Sequence, residues 1–338
     1  MNRFEYLRPE SVADAVKALA SSADARALAG GTNLVDLMKY DVARPSCLVD
    51  INRLPLRSIE ETREGGLRIG ALVTNSDLAW DPRVRKQYPL LASAVLAGAS
   101  PQLRNAATTG GNLLQRTRCY YFYDPSTACN KRNPGSGCPA IGGVNRIHAI
   151  LGASDNCIAV HPSDMCVALA ALQAVVHVEG PRGSRSIPFA EFHRLPAEQP
   201  QRDNTMEAGE LITSIELPDS DFGPNHTYLK VRDRLSYAFA LVSVAVGLKI
   251  GDDKIVEARI ALGGVAHKPW RSRGAEELLQ GQPPGEAAFD RCAEAILRDA
   301  KGQGENDFKI GLARRTIVRA LRQAAAGTPQ NQSDKSVR

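Results

Sequence analysis

Three observations predict that the chain is an α+β protein. Its 338 residues correspond to about two domains at roughly 150 residues each, and 43% of them are apolar and 23% charged. Short apolar runs and segments with helical periodicity are interspersed up to about residue 218. Beyond that point, three consecutive strand patterns are followed by two helical patterns. The composition is typical of globular proteins and excludes disordered, collagen-like and fibrous chains.

The sequence patterns predict the following helices, strands and turns, given in chain order. Residues 10–21 have the spacing of a helix that Ser11 can cap. A Gly-Gly turn at Gly30 and Gly31 precedes a second helical pattern that begins near Asn33. The next elements are strands at 47–51 and 67–72, a buried helix at 90–99 and a second Gly-Gly turn within 108–114.

Regular periodicity is absent from Arg116 to about Ser154, in a stretch rich in Pro and Gly. A structureless segment of this length inside a domain is uncommon and is usually functional. Regular patterns then resume as a strand at 157–160, a helix capped near Ser163, strands at 174–179, 211–218, 226–232, 239–250 and 254–265, and helices at about 286–300 and 306–325. The tail from Gly327 is predicted to be disordered.

The positive charge is concentrated in one region. The formal net charge is +5, and residues 101–150 alone carry +5 because six basic residues face a single acid, Asp124. Such a block suits nucleic acid, a phosphate ligand or an anionic cofactor. The aromatic run at 120–123 keeps the nucleic-acid alternative open. The six basic residues are Arg104, Arg116, Arg118, Lys131, Arg132 and Arg146.

The sequence predicts neither a membrane span nor an export signal. No apolar run approaches the roughly 18–20 residues that cross a bilayer. The first ten residues lack the apolar segment of a signal peptide.

Two Gly-Gly turns have the chemistry of anion-binding loops. The first is Ala29-Gly30-Gly31-Thr32-Asn33, and the second is Thr108-Thr109-Gly110-Gly111-Asn112. Glycines let a ligand approach the backbone, where successive N–H groups form an anion-binding nest. Neither turn matches the G-x-G-x-x-G fingerprint, and a plain turn is the alternative for each. Together they suit the two halves of a dinucleotide.

Four of the seven cysteines cluster within residues 119–157: Cys119, Cys129, Cys138 and Cys157. Four thiolates can hold a zinc ion or an iron–sulfur cluster. Their spacing lacks the tight C-x2-C pairs of zinc fingers and ferredoxins, so disulfides and free thiols remain alternatives. The other three cysteines, at 47, 166 and 292, lie in apolar patterns and are predicted to be core residues.

Two further positions have both a structural and a functional interpretation. Ser163 and Asp164 precede a helix, where either can act as a cap, or Asp164 can face a ligand. Lys230 ends a strand pattern, where it is either solvated or in contact with a cofactor. The histidines form no catalytic or metal-binding pattern and are assigned structural roles.

These motifs, in this order, resemble the FAD-binding subunit of the molybdenum hydroxylases, the xanthine dehydrogenase and aldehyde oxidoreductase family. The resemblance runs from about residue 1 to 325. It rests on ALAGGTNLVDLMK, ATTGGNLLQRTRC, HPSDMCVALAAL, KVRDRLSYAFALVSVAV and ALGGVAHKPWR. The cysteine stretch is similar to the bacterial, periplasmic-type aldehyde oxidoreductase subunit, which carries an extra [4Fe-4S] cluster.

The resemblance implies a fold and its boundaries. The expected architecture is a two-part FAD domain of the vanillyl-alcohol-oxidase (PCMH) type and a small α+β C-terminal domain with a three-stranded antiparallel sheet and helices. The expected ranges are 1–55 and 56–222 for the FAD subdomains, with the cluster loop at about 116–160, then 223–326 for the C-terminal domain and 327–338 for a disordered tail.

The resemblance also implies site residues. The first flavin loop would hold the FAD pyrophosphate and the second would complete the FAD site, while the four cysteines would bind the [4Fe-4S] cluster. The residues implied for FAD are Arg26, Ala27, Leu28, Ala29, Gly30, Gly31, Thr32, Asn33, Leu34, Thr108, Gly111, Asn112, Asp164, Ile212 and Lys230. The metal ligands implied are Cys119, Cys129, Cys138 and Cys157.

The implied function is electron transfer within a heterotrimer. A large subunit with molybdenum cofactor would oxidise an aldehyde, a small [2Fe-2S] subunit would pass electrons to this FAD, and an external acceptor would take them. No residue is a candidate for chemistry on the aldehyde itself. The alternatives are a 4-hydroxybenzoyl-CoA reductase or xanthine dehydrogenase type complex, a self-contained flavin oxidase, and a zinc-stabilised nucleic-acid-binding protein. The expected location is the periplasm, through a partner's twin-arginine signal, or the cytoplasm.

Overall fold

A computed structural model describes residues 1–220 and 222–332. The N-terminal unit is a three-stranded parallel sheet in the order β1-β3-β2, covered by short helices. Ser11 caps the first helix as predicted, because its side chain accepts a hydrogen bond from the Asp14 N–H. The elements are β1 (Glu5–Leu7), α1 (Val12–Ala20), β2 (Ala25–Leu28), α2 (Leu34–Lys39) and β3 (Cys47–Asp50).

The second unit is built on a five-stranded antiparallel sheet in the order β4-β5-β8-β6-β7. Its strands and the helices before the irregular stretch are β4 (Ile59–Glu61), β5 (Leu67–Gly70), α3 (Asn75–Trp80), α4 (Pro82–Gln87), α5 (Pro89–Ala97), α6 (Pro101–Ala106) and α7 (Thr109–Leu113). The elements that follow are α8 (Tyr120–Tyr123), α9 (Asp164–Ala171), β6 (Val175–Gly180), β7 (Gly183–Pro188), α10 (Phe189–Phe192) and β8 (Leu211–Leu217).

Helices α5 and α9 pack on each other and against the sheet of the C-terminal unit, which is described below. Both helices are rich in Ala and Leu. All eight residues of α9 are buried, as expected for a helix that is apolar around its whole circumference. Because Asp164 is the first residue of α9, this packing fixes the position of a carboxylate in the interior.

The C-terminal unit has a four-stranded antiparallel sheet in the order β12-β11-β10-β9, so the prediction of three strands was wrong. The additional strand, β12, has only two residues, which pair with Ala261 and Leu262 and are too few to show a periodic pattern. The elements are β9 (His226–Val231), β10 (Val242–Gly251), β11 (Lys254–Gly263), β12 (Trp270–Arg271), α11 (Arg273–Glu277), α12 (Glu286–Ile296) and α13 (Phe308–Ala325).

Two segments outside the sheets were also singled out by the sequence. Among the described residues, the stretch between α7 and α9 contains one short helix, α8, and is otherwise irregular. Within 327–338, where the sequence predicted disorder, Gln330 and Gln332 hydrogen-bond to the backbone or side chains of β9. Residues 333–338 lie outside the described part of the chain.

Candidate functional site

A cavity of about 1320 Å³ lies where the three units meet, which we call the cleft. It exceeds the roughly 300–1,000 Å³ of most small-molecule pockets and therefore suits a ligand the size of a dinucleotide. Its wall contains every residue that the resemblance implied for FAD: Arg26, Ala27, Leu28, Ala29, Gly30, Gly31, Thr32, Asn33, Leu34, Thr108, Gly111, Asn112, Asp164, Ile212 and Lys230. The fold thus brings together residues from all three units.

The first Gly-Gly turn is pressed against the second unit. A Cβ atom on Gly30 would stand 1.8 Å from the carbonyl oxygen of Ala106, so no side chain fits there. Gly31 has a φ of +70°, which favours glycine. The Asn33 side chain accepts a hydrogen bond from the Arg116 N–H at 2.9 Å and therefore holds the start of the irregular stretch.

The second Gly-Gly turn forms the start of α7. The Thr108 hydroxyl accepts from the Gly111 N–H at 3.3 Å and caps this helix. The Asn112 side chain accepts from the Ser163 hydroxyl at 2.5 Å, which ties this turn to the start of α9. Ser163 in turn caps α9 by accepting from the Cys166 N–H at 3.0 Å, so the capping interpretation is confirmed for Ser163.

Asp164 and Lys230 form a buried ion pair in the cleft wall. Their Oδ2 and Nζ atoms lie 2.7 Å apart, and Lys230 also donates to the carbonyl of Ala97 at 3.1 Å. The Tyr228 hydroxyl donates to the other carboxylate oxygen at 2.6 Å. Burial and the Asp164 charge raise the pKa of Tyr228 well above its ordinary value, so this hydroxyl stays protonated. Lys230 is therefore not a solvated strand end.

Sequence reasoning missed Tyr228. The signal was present, because Tyr228 and Lys230 are two apart on β9 and side chains two apart lie on the same face of a strand. Its partner Asp164 is 64 residues away, and no local pattern connects them.

The four predicted metal ligands line a second, much smaller cavity, which we call the thiol pocket. Among the described residues, no cysteine of the chain forms a disulfide, so that alternative is overturned. Cys119, Cys129 and Cys157 are buried and Cys138 is half-buried. A hydrogen bond between Cys138 and Cys157 lowers the pKa of Cys138 to about 6 and, with burial, raises that of Cys157. Burial raises the pKa of Cys119 to about 11.

The remaining cysteines lie outside the pocket, as predicted. Cys47, Cys166 and Cys292 are buried among apolar side chains in three different cores. The pocket therefore contains the four cysteines clustered within residues 119–157 and none from the core patterns.

Basic residues surround the thiol pocket. Lys131 lines it, is almost fully buried, and forms an ion pair with Asp203, which also pairs with Arg116 of the cleft wall. Burial alone would raise the pKa of Asp203, but Arg116 and Lys131 outweigh it and hold the pKa at about 2. The charge of Lys131 also favours the thiolate form of Cys157. The Asp203 carboxylate thus forms ion pairs with both Arg116 and Lys131.

A second buried lysine is bonded to the backbone of a residue that lines the pocket. Lys309 of α13 has no exposed surface and donates to the carbonyls of His148 at 2.7 Å and Gly264 at 2.5 Å. Burial, with a smaller effect of Arg146, lowers its pKa to about 7. Within the described residues, no carboxylate pairs with Lys309.

Three further basic residues of the block are engaged inside the fold, whereas Arg146 forms an exposed ion pair with Asp233. Arg118 lies over the ring of Phe239, and Arg104 donates to the carbonyl of Gly98 at 2.7 Å. Arg132 donates to carbonyls within and next to α8. Most basic residues of the 101–150 block, which suggested an anionic partner, therefore lie around the cleft and the thiol pocket.

His161 and His193 lie side by side behind the cleft wall, with ring centroids 4.3 Å apart. Burial lowers the pKa of His193 to about 4 and that of His161 as well, so both rings are neutral. His193 packs edge-on against Phe189 and Phe192 and hydrogen-bonds to the Leu113 carbonyl at 2.9 Å. Both act as aromatic core residues.

The fold and the cleft define a flavoprotein, and comparisons with known proteins agree. Residues 2–220 match the family model for the FAD binding domain in molybdopterin dehydrogenase, and residues 226–324 match the CO dehydrogenase flavoprotein C-terminal domain. The chain belongs to the family of FAD-binding medium subunits of molybdenum hydroxylases.

Individual relatives cover nearly the whole chain. The aldehyde oxidoreductase FAD-binding subunit PaoB of Escherichia coli (strain K12) is 50% identical over 328 residues, which are 96% of this chain and 99% of the relative. The carbon monoxide dehydrogenase medium chain of Hydrogenophaga pseudoflava is 30% identical over 96% of this chain and 98% of its own. A solved carbon monoxide dehydrogenase structure from Hydrogenophaga pseudoflava matches with a TM-score of 0.76 and 29% identity, covering 96% of this chain and 98% of the other.

The family membership makes this chain an oxidoreductase subunit that binds FAD. No helix of the described residues is long and apolar enough to cross a membrane.

Proposed function

We propose that the chain is the FAD and [4Fe-4S] electron-transfer subunit of a heteromeric, molybdenum-dependent aldehyde oxidoreductase. The observation that carries this proposal is the juxtaposition of the cleft with a pocket of four thiols. It is supported by the 50% identity to a subunit whose name specifies both an aldehyde oxidoreductase and FAD. We further propose partners that carry molybdenum cofactor and [2Fe-2S] clusters, and an external electron acceptor.

The cleft residues fit FAD by their chemistry. Gly30 and Gly31 line the cleft, where backbone N–H groups of this turn can face a pyrophosphate. The second turn contributes a helix start capped by Thr108, and Ile212 contributes an apolar wall. Bound FAD supplies the one- and two-electron chemistry that the side chains of this chain lack. The chain binds and orients it.

The ion pair of Asp164 and Lys230 would face the cofactor as a neutral, fully hydrogen-bonded unit. Tyr228 and the Ala97 carbonyl satisfy the remaining polar groups. Because the unit is held from three elements, it offers a fixed dipole toward the ligand and excludes water from that wall.

The thiol pocket fits a four-thiolate metal centre by its donor set. Four cysteine sulfurs around one cavity can hold either a zinc ion or an iron–sulfur cluster. The resemblance to the periplasmic-type aldehyde oxidoreductase subunit, and the position of the pocket beside the cleft, favour the cluster. A cluster held by four thiolates is anionic, and Lys131 and Lys309 supply positive charge beside it.

The test is a visible absorption spectrum of the anaerobically purified protein, with iron and acid-labile sulfide assays on the same sample. We expect flavin bands with a broad iron–sulfur shoulder, and about four irons and four sulfides per chain. Cys129→Ser should lose the iron and keep much of the flavin. Cys47→Ser, a buried cysteine outside the pocket, is the control and should keep both.

One outcome contradicts the proposal, and another removes the evidence from the variants. Flavin without iron in fresh anaerobic protein excludes the cluster, and a matching zinc content would then assign the pocket to zinc. Loss of iron in the Cys47 variant as well would mean that the Cys129 result reflects general instability.

A further inference from the structure

The cleft and the thiol pocket share a wall. Three residues, Thr117, Cys119 and His148, line both cavities. One of the predicted metal ligands therefore lies directly between the two sites. The side chain that contacts its sulfur on this shared wall is His148, whose Nε2 atom lies 3.1 Å from Cys119 Sγ.

His148 is held in place by the C-terminal unit. Its carbonyl accepts from Lys309 Nζ at 2.7 Å and from Asn306 Nδ2 at 3.2 Å. Its N–H donates to the Asn145 carbonyl at 2.9 Å. The residue is only 1% exposed, and the ring of Tyr120 lies edge-on to it. Three hydrogen bonds thus fix the backbone of His148, and its buried ring lies between Tyr120 and the sulfur of Cys119.

The direction of this hydrogen bond depends on the state of Cys119. An imidazole ring carries at least one proton in either charge state, so His148 can donate from Nε2. A metal-bound thiolate can only accept a hydrogen bond. The proton must then lie on Nε2. The other ring nitrogen, Nδ1, has no hydrogen-bond partner among the described residues, so it does not compete for the proton.

We propose that His148 is a positioning residue that donates its Nε2–H to the Cys119 thiolate and thereby raises the reduction potential of the metal centre. A hydrogen bond to a ligand sulfur withdraws electron density and stabilises the more negative, reduced state. Because this bond lies on the shared wall, the C-terminal unit acts through it on the redox balance between the two sites. The inference rests on the proposed function.

The test compares the potentials of variants that retain the centre. His148→Phe keeps a ring and removes the donor, whereas His148→Gln offers an amide N–H in its place. The readouts are iron and sulfide per chain and an EPR-monitored redox titration of the holoenzyme. We expect His148→Phe to shift the potential to more negative values and His148→Gln to restore most of the shift. His177→Phe, at a half-buried histidine of β6 outside both cavities, should leave the potential unchanged.

Each remaining outcome has a definite meaning. A wild-type potential in His148→Phe with full iron content overturns the inference and leaves the proposed function intact. Absence of iron from the wild-type protein overturns both. If His148→Phe loses iron, His148→Asn takes its place, because the shorter amide does not reach the sulfur; a wild-type potential in that variant also overturns the inference.

Discussion

The cleft has the buried Lys230 in its wall, whereas the buried Lys309 lies behind His148 of the thiol-pocket wall, and these two lysines are stabilised in opposite ways. Lys230 of the cleft has a carboxylate partner at 2.7 Å, which a tyrosine also binds. Lys309, beside the pocket, is bonded to backbone carbonyls, and its pKa is lowered to about 7. Buried charges are normally paired, because an isolated one is costly.

This difference indicates which kind of ligand each region can accommodate. The cleft neutralises its own buried charge, and its turns present backbone groups to a ligand. At the pocket, Lys131 shares Asp203 with Arg116 of the cleft wall, and within the described residues Lys309 has no acid partner. An anionic centre of four thiolates would attract Lys131 and favour the protonated form of Lys309, which supports the proposed function.

The largest effect is expected from breaking the pair in the cleft. Lys230→Met leaves the Asp164 carboxylate buried without a cation, which costs about 3–5 kcal/mol of stability. We expect urea unfolding to show this loss. The double variant Lys230→Met with Asp164→Asn should recover much of it, since no unpaired charge remains. Equal instability of both variants would show that packing, rather than charge, is responsible.

Removing the unpaired lysine should instead change the pH dependence of stability. The folded pKa of Lys309, about 7, lies below its ordinary value of 10.5, so the unfolded chain binds more protons between these values. Wild-type stability should therefore rise with pH, by roughly 3–4 kcal/mol between pH 7 and pH 10. Unfolding measured from pH 7 to 10 should show a flatter profile for Lys309→Met. Parallel pH profiles for the wild type and Lys309→Met would mean that Lys309 has an acidic partner in solution.

The backbone of the cleft is tested at Gly30. Gly30→Ala places a methyl group against the Ala106 carbonyl, which separates the two Gly-Gly turns and costs about 1–3 kcal/mol. We expect roughly tenfold weaker FAD binding, equivalent to about 1.4 kcal/mol. The amount of flavin that each chain releases on dilution measures this loss of affinity. Gly274→Ala, where nothing lies within 4 Å of the added Cβ, is the control. Full retention of flavin in Gly30→Ala would remove this turn from the site.

The same contrast explains how much could be predicted from the sequence. The Gly-Gly turns are short motifs that can be read directly in the sequence, although the contact that excludes a side chain at Gly30 comes from Ala106 of the second unit. The cysteine spacing likewise marked one segment, and the structure gathers all four thiols of that segment around one cavity. The helix cap at Ser163 was also predicted from its immediate neighbours.

The groups that support those motifs could not be predicted. Asp203 acts on Lys131 from 72 residues away, and Lys309 acts on His148 from 161 residues away. Tyr228 acquires a role only because α9 places Asp164 opposite it. Such contacts depend on the packing of separate units, and a single sequence holds no periodic signal for them. The two-residue strand β12 was missed because a pattern needs more residues than it has.

The smallest effect is expected at the outer edge of the region, where charge is exposed. Arg146 and Asp233 form an ion pair at 2.8 Å whose side chains are 46% and 60% exposed. Water and salt screen such a pair, so Arg146→Ala should change stability by at most about 0.5 kcal/mol. Urea unfolding at low and high salt should show a difference that shrinks as salt is added. A large, salt-independent loss would mean that Arg146 acts instead through its stacking on Phe308, where its guanidinium lies 5.3 Å from the ring centre.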